Sequence, residues 1–197
     1  MNEEEQIQFV VRQAKDSADF RRTAIESLSR PLIDLAHVIT GIIGSGGKIM
    51  ICGNGGSAAD STHMAAEMIV RLTAERNRQP LPAVALTTDS SILTAAGNDF
   101  GFDEIFARQV RGLGKMGDML LMISTSGNSS NLIRAVQAAR EQNMVTAALL
   151  GGQGGKLAGQ VDRKIVIPHS SVQRIQEEQI FLIHLLVELI EGDLCGC

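Results

Sequence analysis

A doubly wound α/β fold, with five parallel strands covered by helices on both faces, is predicted here from three observations. Short apolar runs alternate with stretches of helical periodicity from residue 48 to residue 191. Strands separated by helices make a parallel sheet buried on both sides. Two of the runs end in glycine- and serine-rich turns, Gly53-Asn54-Gly55-Gly56-Ser57 and Ser124-Thr125-Ser126-Gly127-Asn128-Ser129-Ser130. Such sheets bind their ligands beyond the C-terminal strand ends, where both turns fall.

In chain order, residues 3–28 carry Ile7, Val10, Val11, Ala14, Phe20, Ala24, Ile25 and Leu28 at helical spacing. Pro31 breaks that pattern and opens a second helix with Leu32, Leu35, Ala36, Ile39, Ile42 and Ile43, which stops at Gly44-Ser45-Gly46-Gly47. These two helices precede the first strand and are additions to the βαβ core. Their apolar stripes serve the sheet, a subunit interface, or both. Strands are predicted at 48–53, 82–88, 118–124, 145–150 and 163–168. Helices are predicted at 57–74, 90–96, 103–113, 129–143 and 172–191, with a short one after the loop at 151–155. The polar stretch 73–82 is a loop rather than a linker, because the alternation resumes after it. Residues 1–197 therefore read as one domain, with residues 1–46 also available to an oligomer interface.

Composition narrows the function classes. The 197 residues carry a net charge of −4, so nothing in the total points to nucleic acid. Trp and Tyr are absent, which leaves six Phe for any base stacking. The start Met1-Asn2-Glu3-Glu4-Glu5 has no apolar segment of a secretory signal, and no run approaches a membrane span. A cytoplasmic protein is expected. Of the three cysteines, Cys52 ends a buried strand and reads as a core residue. Cys195 and Cys197 form a C-x-C pair without a second metal-ligating cluster near it.

The turn after the first strand has neither the G-x-G-x-x-G spacing of a dinucleotide site nor a Walker lysine. A small phosphate ester fits better, held by backbone N–H groups at a helix start, with Ser57 adding a hydroxyl or capping the helix. One serine suffices as an N-cap; Ser124, Thr125, Ser126 and Ser129 are more than a cap needs, and suit the several oxygens of a phosphate. His63 and Glu67, at i and i+4, share a helix face and make a candidate metal or acid–base pair. Arg71 continues that face by another turn, either toward a phosphate or at the surface. Gln176 and His184 lie two turns apart on the last helix. His184, inside Phe181-Leu182-Ile183-His184-Leu185-Leu186-Val187, reads equally as a satisfied core histidine and as a ligand or proton carrier. Asn98 and Asp99 follow Gly97 after a short helix, where they either shape a turn or reach the cleft. His37 and His169 are not expected in the site.

Together these motifs resemble the phosphoheptose (sedoheptulose 7-phosphate) isomerases of the sugar-isomerase, or SIS, fold family. The stretches that carry the resemblance are Gly53-Asn54-Gly55-Gly56-Ser57-Ala58-Ala59-Asp60 with His63 and Glu67, Ala85-Leu86-Thr87-Thr88-Asp89, Gly97-Asn98-Asp99-Phe100-Gly101-Phe102, Ile123-Ser124-Thr125-Ser126-Gly127-Asn128-Ser129, and Arg174-Ile175-Gln176-Glu177 with His184. The resemblance implies a three-layer, flavodoxin-like αβα sandwich and a homotetramer with zinc in its site. It also implies conversion of sedoheptulose 7-phosphate to D-glycero-D-manno-heptose 7-phosphate, the first step toward heptose precursors of bacterial surface glycans. Positions matching Asn54, Gly55, Gly56, Asn98, Asp99, Ser124, Thr125, Ser126 and Ser129 contact substrate in that family. Those matching His63, Glu67, Gln176 and His184 surround the metal, and Glu67 and Gln176 also reach substrate. Where the family often has a histidine, this chain has Gln179. The alternatives are a sugar-phosphate-binding regulator and a scaffold that binds the replication initiator. The presence of both Glu67 and His184 favours the enzyme, with Glu67 as base and His184 as acid.

Overall fold

The apolar runs pair into a single parallel sheet in the order β2-β1-β3-β4-β5. The computed structural model describes residues 1–196. Its strands are β1 (Ile49–Gly53), β2 (Ala83–Ala85), β3 (Met119–Ser124), β4 (Val145–Gly151) and β5 (Arg163–Ile167). Its helices are α1 (Glu3–Gly44), α2 (Gly56–Ile69), α3 (Ser90–Phe100), α4 (Ile105–Leu113), α5 (Ser130–Glu141) and α6 (Val172–Cys195). Every residue of β1 and β3 is buried. Alternation sends Ile49, Ile51, Met119, Leu121 and Ile123 to a core shared with α1, α2 and α6. Met50, Cys52, Leu120 and Met122 go to the core under α3, α4 and α5. Among the described residues no helix is long and apolar enough to cross a membrane.

The strand order fixes where a site can form. From β1 the chain moves to β2 on one flank, then crosses to β3 on the other, so the sheet reverses its winding between β1 and β3. These two strands are direct neighbours, with Gly53 opposite Ile123. The turns that follow them therefore leave the sheet side by side.

The largest departure from the sequence expectation is at the N-terminus. α1 is one helix of 42 residues and Pro31 lies inside it. Proline removes a backbone donor and crowds the preceding turn, at about 3 kcal/mol in a helix interior. Here the apolar stripe keeps its spacing through the proline: Ala24, Leu28, Leu32, Leu35, Ala36, Ile39 and Ile42 are all buried. Each large side chain in that stripe contributes about 1.5–3 kcal/mol by leaving water, so packing outweighs the local penalty. α1 lies along α6, fastened by Arg21 Nε to Glu178 Oε1 at 2.9 Å, with the guanidinium 4.2 Å from the Phe181 ring centre. The helix starts on a capping box between Asn2 and Glu5. Residues 1–12 are all exposed, including Ile7, Val10 and Val11.

Other boundaries shift less. α2 stops at Ile69 instead of residue 74, and β2 spans only Ala83–Ala85. α3 is longer than expected and takes in Asn98 and Asp99, because Asp89 caps its start and Gly101, at φ 89°, ends it. α6 runs on to Cys195; Cys197 of the C-x-C pair lies outside the described residues.

Candidate active site

The two adjacent turns start two helices whose first N–H groups receive no side-chain cap. Gly55, at φ 57°, is the N-cap of α2 and has no side chain to offer. Ser57 is buried within the first turn and is not the cap. Ser129 is the N-cap of α5, and its hydroxyl makes no capping bond. Both helix starts thus keep donors and a positive dipole end for an anion. Ser124 Oγ accepts from Gly127 N at 3.0 Å and Ser126 Oγ from Asn128 N at 3.2 Å, bonds that do not use either hydroxyl's proton.

These turns are held as one unit. Asn54 and Asn131 exchange amide hydrogen bonds in both directions, each 2.9 Å, and Asn131 is buried. The β3 turn packs on the 151–155 loop so closely that a Cβ on Gly127 would lie 2.0 Å from Gly154 O. A Cβ on Gly155 would lie 2.3 Å from Ser126 O. Asn128 fastens the contact further, donating to Ser126 O and accepting from Lys156 N, each at 3.0 Å. Asn131 is the residue that motif reading missed. Its only trace in the sequence is an amide one position into the helix after the serine turn.

Helices α2 and α6 lie side by side, both antiparallel to the strands that precede them, and meet at successive levels. At the first, Gln176 rests on the opening turn of α2: a Cβ on Gly56 would sit 2.4 Å from Gln176 Nε2. Two turns further along, His63 Nε2 is 2.8 Å from Glu67 Oε1, and His184 Nε2 is 3.2 Å from His63 Nε2 and 3.5 Å from Glu67 Oε1. The i, i+4 spacing on α2 aims its two side chains together, and the register of α6 brings His184 to them. His184 is therefore not a closed core residue; its side chain is 42 % exposed. Glu67 Oε2 is buried and has no hydrogen-bond partner among the described residues.

Such a crowd of lone pairs suits a cation. Donor atoms on a tetrahedral zinc, each about 2.0–2.1 Å from the metal, are about 3.4 Å apart. The three separations here bracket that value, the donor atoms lie within 4.8 Å of one another, and the orphaned carboxylate oxygen asks for a positive partner. Asp60, one turn before His63, also has an orphaned buried oxygen. Burial pushes its carboxyl above the ordinary range, partly countered by His63.

Three expected residues stand apart. Arg71 lies beyond the end of α2, exposed, with Nη1 on Ala74 O at 3.2 Å, so it does not continue the His63–Glu67 face. Asn98 and Asp99 sit on the exposed last turns of α3 and bond each other at 2.8 Å, in the opposite helical layer from α6. Among the described residues no hydrogen bond or ion pair joins these three to the His63–Glu67–His184 group. Gln179 is fully buried and donates to Leu149 O at 3.1 Å. His37 and His169 lie on other surfaces, near Asp193 and Phe20 respectively.

Comparison with known proteins agrees with this geometry. A SIS domain family model matches residues 14–151. The phosphoheptose isomerase of Dechloromonas aromatica is 48% identical over 190 residues, covering 95% of this chain and 96% of its own. The solved phosphoheptose isomerase of Neisseria gonorrhoeae superposes with a TM-score of 0.88 at 44% identity, covering 95% of this chain and 99% of its own. That of Francisella tularensis gives 0.91 at 33% identity, covering 95% and 98%. Fold, strand-end turns and near full-length identity lead to one assignment: the chain belongs to the SIS domain family and, within it, to the phosphoheptose isomerases.

Proposed function

We infer that this protein isomerises sedoheptulose 7-phosphate to D-glycero-D-manno-heptose 7-phosphate, and that the product feeds heptose precursors of surface glycans in the cytoplasm. The observation that carries the chemistry is the meeting of one carboxylate and two imidazoles, Glu67, His63 and His184, in the cleft between α2 and α6. Ketose-to-aldose conversion moves hydrogen between adjacent carbons. Glu67 takes a proton from C1 while His184 protonates O2, which gives the enediol; return of a proton to C2 and loss of the O1 proton leaves the aldehyde at C1. We propose that Asn54, Gly55, Gly56 and Ser57 with Ser124, Thr125, Ser126 and Ser129 hold the phosphate. Gln176 is assigned to substrate and metal alike. The assignment of Asn98 and Asp99 to substrate rests on family membership alone, and that of Arg71 on a positive charge that follows the His63–Glu67 helix.

Zinc is the cofactor we propose, held by His63, Glu67, Gln176 and His184. Its support is the spacing of the His63, Glu67 and His184 donor atoms and the orphaned Glu67 oxygen, while Gln176 is included on family membership. Bound there, zinc would supply Lewis acidity toward the substrate carbonyl. An amide oxygen is an uncommon zinc ligand, which favours a labile site. A carboxylate or imidazole held by zinc would be a poorer base, so either the hold on Glu67 and His184 would loosen during turnover or the metal would be partly structural.

The test is direct. Purified protein incubated with sedoheptulose 7-phosphate should yield an aldose signal by NMR, and Ser126→Ala should raise KM about tenfold or more, in proportion to one lost charge-assisted hydrogen bond. A parent protein that leaves the ketose untouched would end the functional reading, and an unchanged KM would move the cradle elsewhere.

We further propose a homotetramer in which α1 supplies interface. Ile7, Val10 and Val11 are exposed on a helix whose first twelve residues are all exposed. Light scattering at micromolar concentration should report four chains. A monomer there removes the proposal, and deletion of residues 1–28 should weaken assembly.

A further inference from the structure

The cleft between α2 and α6 has a further contact level, away from the substrate, that motif reading did not anticipate. Arg78 lies in the loop between α2 and β2, yet its side chain is only 3% exposed. Its Nη2 donates to Glu67 O at 2.7 Å and its Nη1 to Met68 O at 2.8 Å and to Gln79 O at 3.1 Å. Its Nε donates to Glu191 Oε1 at 2.7 Å, and Glu191 is fully buried on α6. Arg76 Nη1 reaches the other carboxylate oxygen at 3.2 Å, and Leu72 N the first at 3.3 Å. Burial would raise the Glu191 carboxyl, but the hydrogen bonds from Arg78, Leu72 and Arg76 outweigh it and hold the group below its ordinary value, hence charged.

One guanidinium therefore touches both walls of the site. The last carbonyls of a helix lack intrahelical donors, and a cation there also meets the negative dipole end. Arg78 fills that role for α2, and one of the two carbonyls it takes belongs to Glu67 itself. On the other wall, Glu191 stands seven residues after His184, two turns along the same face of α6. With Gln176 fixed against Gly56 at the far end, α2 and α6 are pinned on both sides of the His63–Glu67–His184 group. Loss of the lower pin frees one helix to slide or rotate along the other, and the 3.5 Å between Glu67 Oε1 and His184 Nε2 is the separation that this motion changes.

We propose that Arg78 is a positioning residue for isomerisation, holding Glu67 and His184 at reacting distance by tying the C-terminal end of α2 to Glu191 of α6. The proposal rests on the isomerase reading for its kinetic arm only. Arg78→Met keeps the aliphatic stem and removes the donors; Arg78→Lys keeps the charge. Both are compared with Leu28→Ala, a core substitution in α1 that lowers stability away from the pin. Kinetics are run well below the unfolding midpoint of every variant. Arg78→Met is expected to lower kcat by about ten- to a hundredfold with KM changed by less than about twofold, as a small misplacement of reacting groups does. Arg78→Lys should recover part of the loss, and Leu28→Ala should keep the parental kcat. A second readout needs no turnover: the imidazole NMR signals of His63 and His184 in metal-free protein should move in Arg78→Met and stay in place in Leu28→Ala. Should Arg78→Met fail to fold, Arg78→Lys carries both readouts, because a single ammonium cannot span all four acceptors. A folded Arg78 variant with parental kcat and unmoved imidazole signals overturns the proposal. An inactive parent would refute the isomerase reading instead, and the imidazole signals would still decide the pin.

Discussion

Glu67→Gln should lower kcat by about a thousandfold or more while the protein stays folded. Glutamine keeps the size and the planar end of the side chain but cannot accept a proton from carbon, and a positioned general base is worth roughly 10²–10⁴ in rate. The buried Oε2 is the atom at stake. It has no protein partner among the described residues, so its replacement by an amide breaks no internal hydrogen bond. The most informative measurement is solvent deuterium incorporation at C1 of the ketose and C2 of the aldose, with bound zinc determined on the same sample. Loss of exchange with metal retained isolates the proton-transfer role, and loss of both points to the ligand role. His184→Gln should behave likewise from the other wall. Exchange and isomerisation at the parental rate in Glu67→Gln would show that the group between α2 and α6 is not where the reaction occurs.

Gly127→Ala is the expected extreme on stability. Gly127 sits at φ 63°, where a side chain is strained, and its Cβ would lie 2.0 Å from the backbone oxygen of Gly154. Backbone cannot rotate out of the way as a side-chain end can, so the two loops must part, which breaks the Leu157 N to Gly127 O bond. A loss of about 3 kcal/mol or more follows, a fall in melting temperature on the order of 10 °C for a chain of this size. Gly112→Ala is the matched control: it is helical, has nothing within 4 Å of its Cβ position, and should gain up to about 1 kcal/mol. Calorimetry showing equal melting for Gly127→Ala and the parent would mean that the two loops do not rest on each other in solution.

Much of the architecture could be read from residues alone, for reasons that are local. Ile49–Gly53 and Met119–Ser124 are buried on both faces and so appear as unbroken apolar runs ended by glycine or serine. His63 and Glu67 needed only helical spacing. What failed was non-local. Pro31 looked like a boundary because the rule for proline is local, whereas the packing of Leu28, Leu32 and Leu35 against another helix is not. The spacing from Leu28 to Leu35, unbroken across the proline, held the missed signal. The last carbonyls of α2 are taken by a guanidinium from the following loop, at Arg78, outside any short window around residue 69. The approach of His184 to His63 spans 121 residues and was expected from family likeness, not from spacing. Arg71 was expected to continue the His63–Glu67 face, but α2 ends at Ile69 before reaching it, an end that the local periodicity did not mark.

The levels at which α2 and α6 meet also act as a gauge. Gly56 and His63 are seven residues apart on a straight helix, about 10 Å by helical rise. A molecule that engages the open helix start with one end and the carboxylate–imidazole group with the other must bridge that span. Chemically competent but shorter molecules can satisfy only one end at a time. Selection by length is then written into the backbone rise of α2, which sets how far apart the two ends of the site stand.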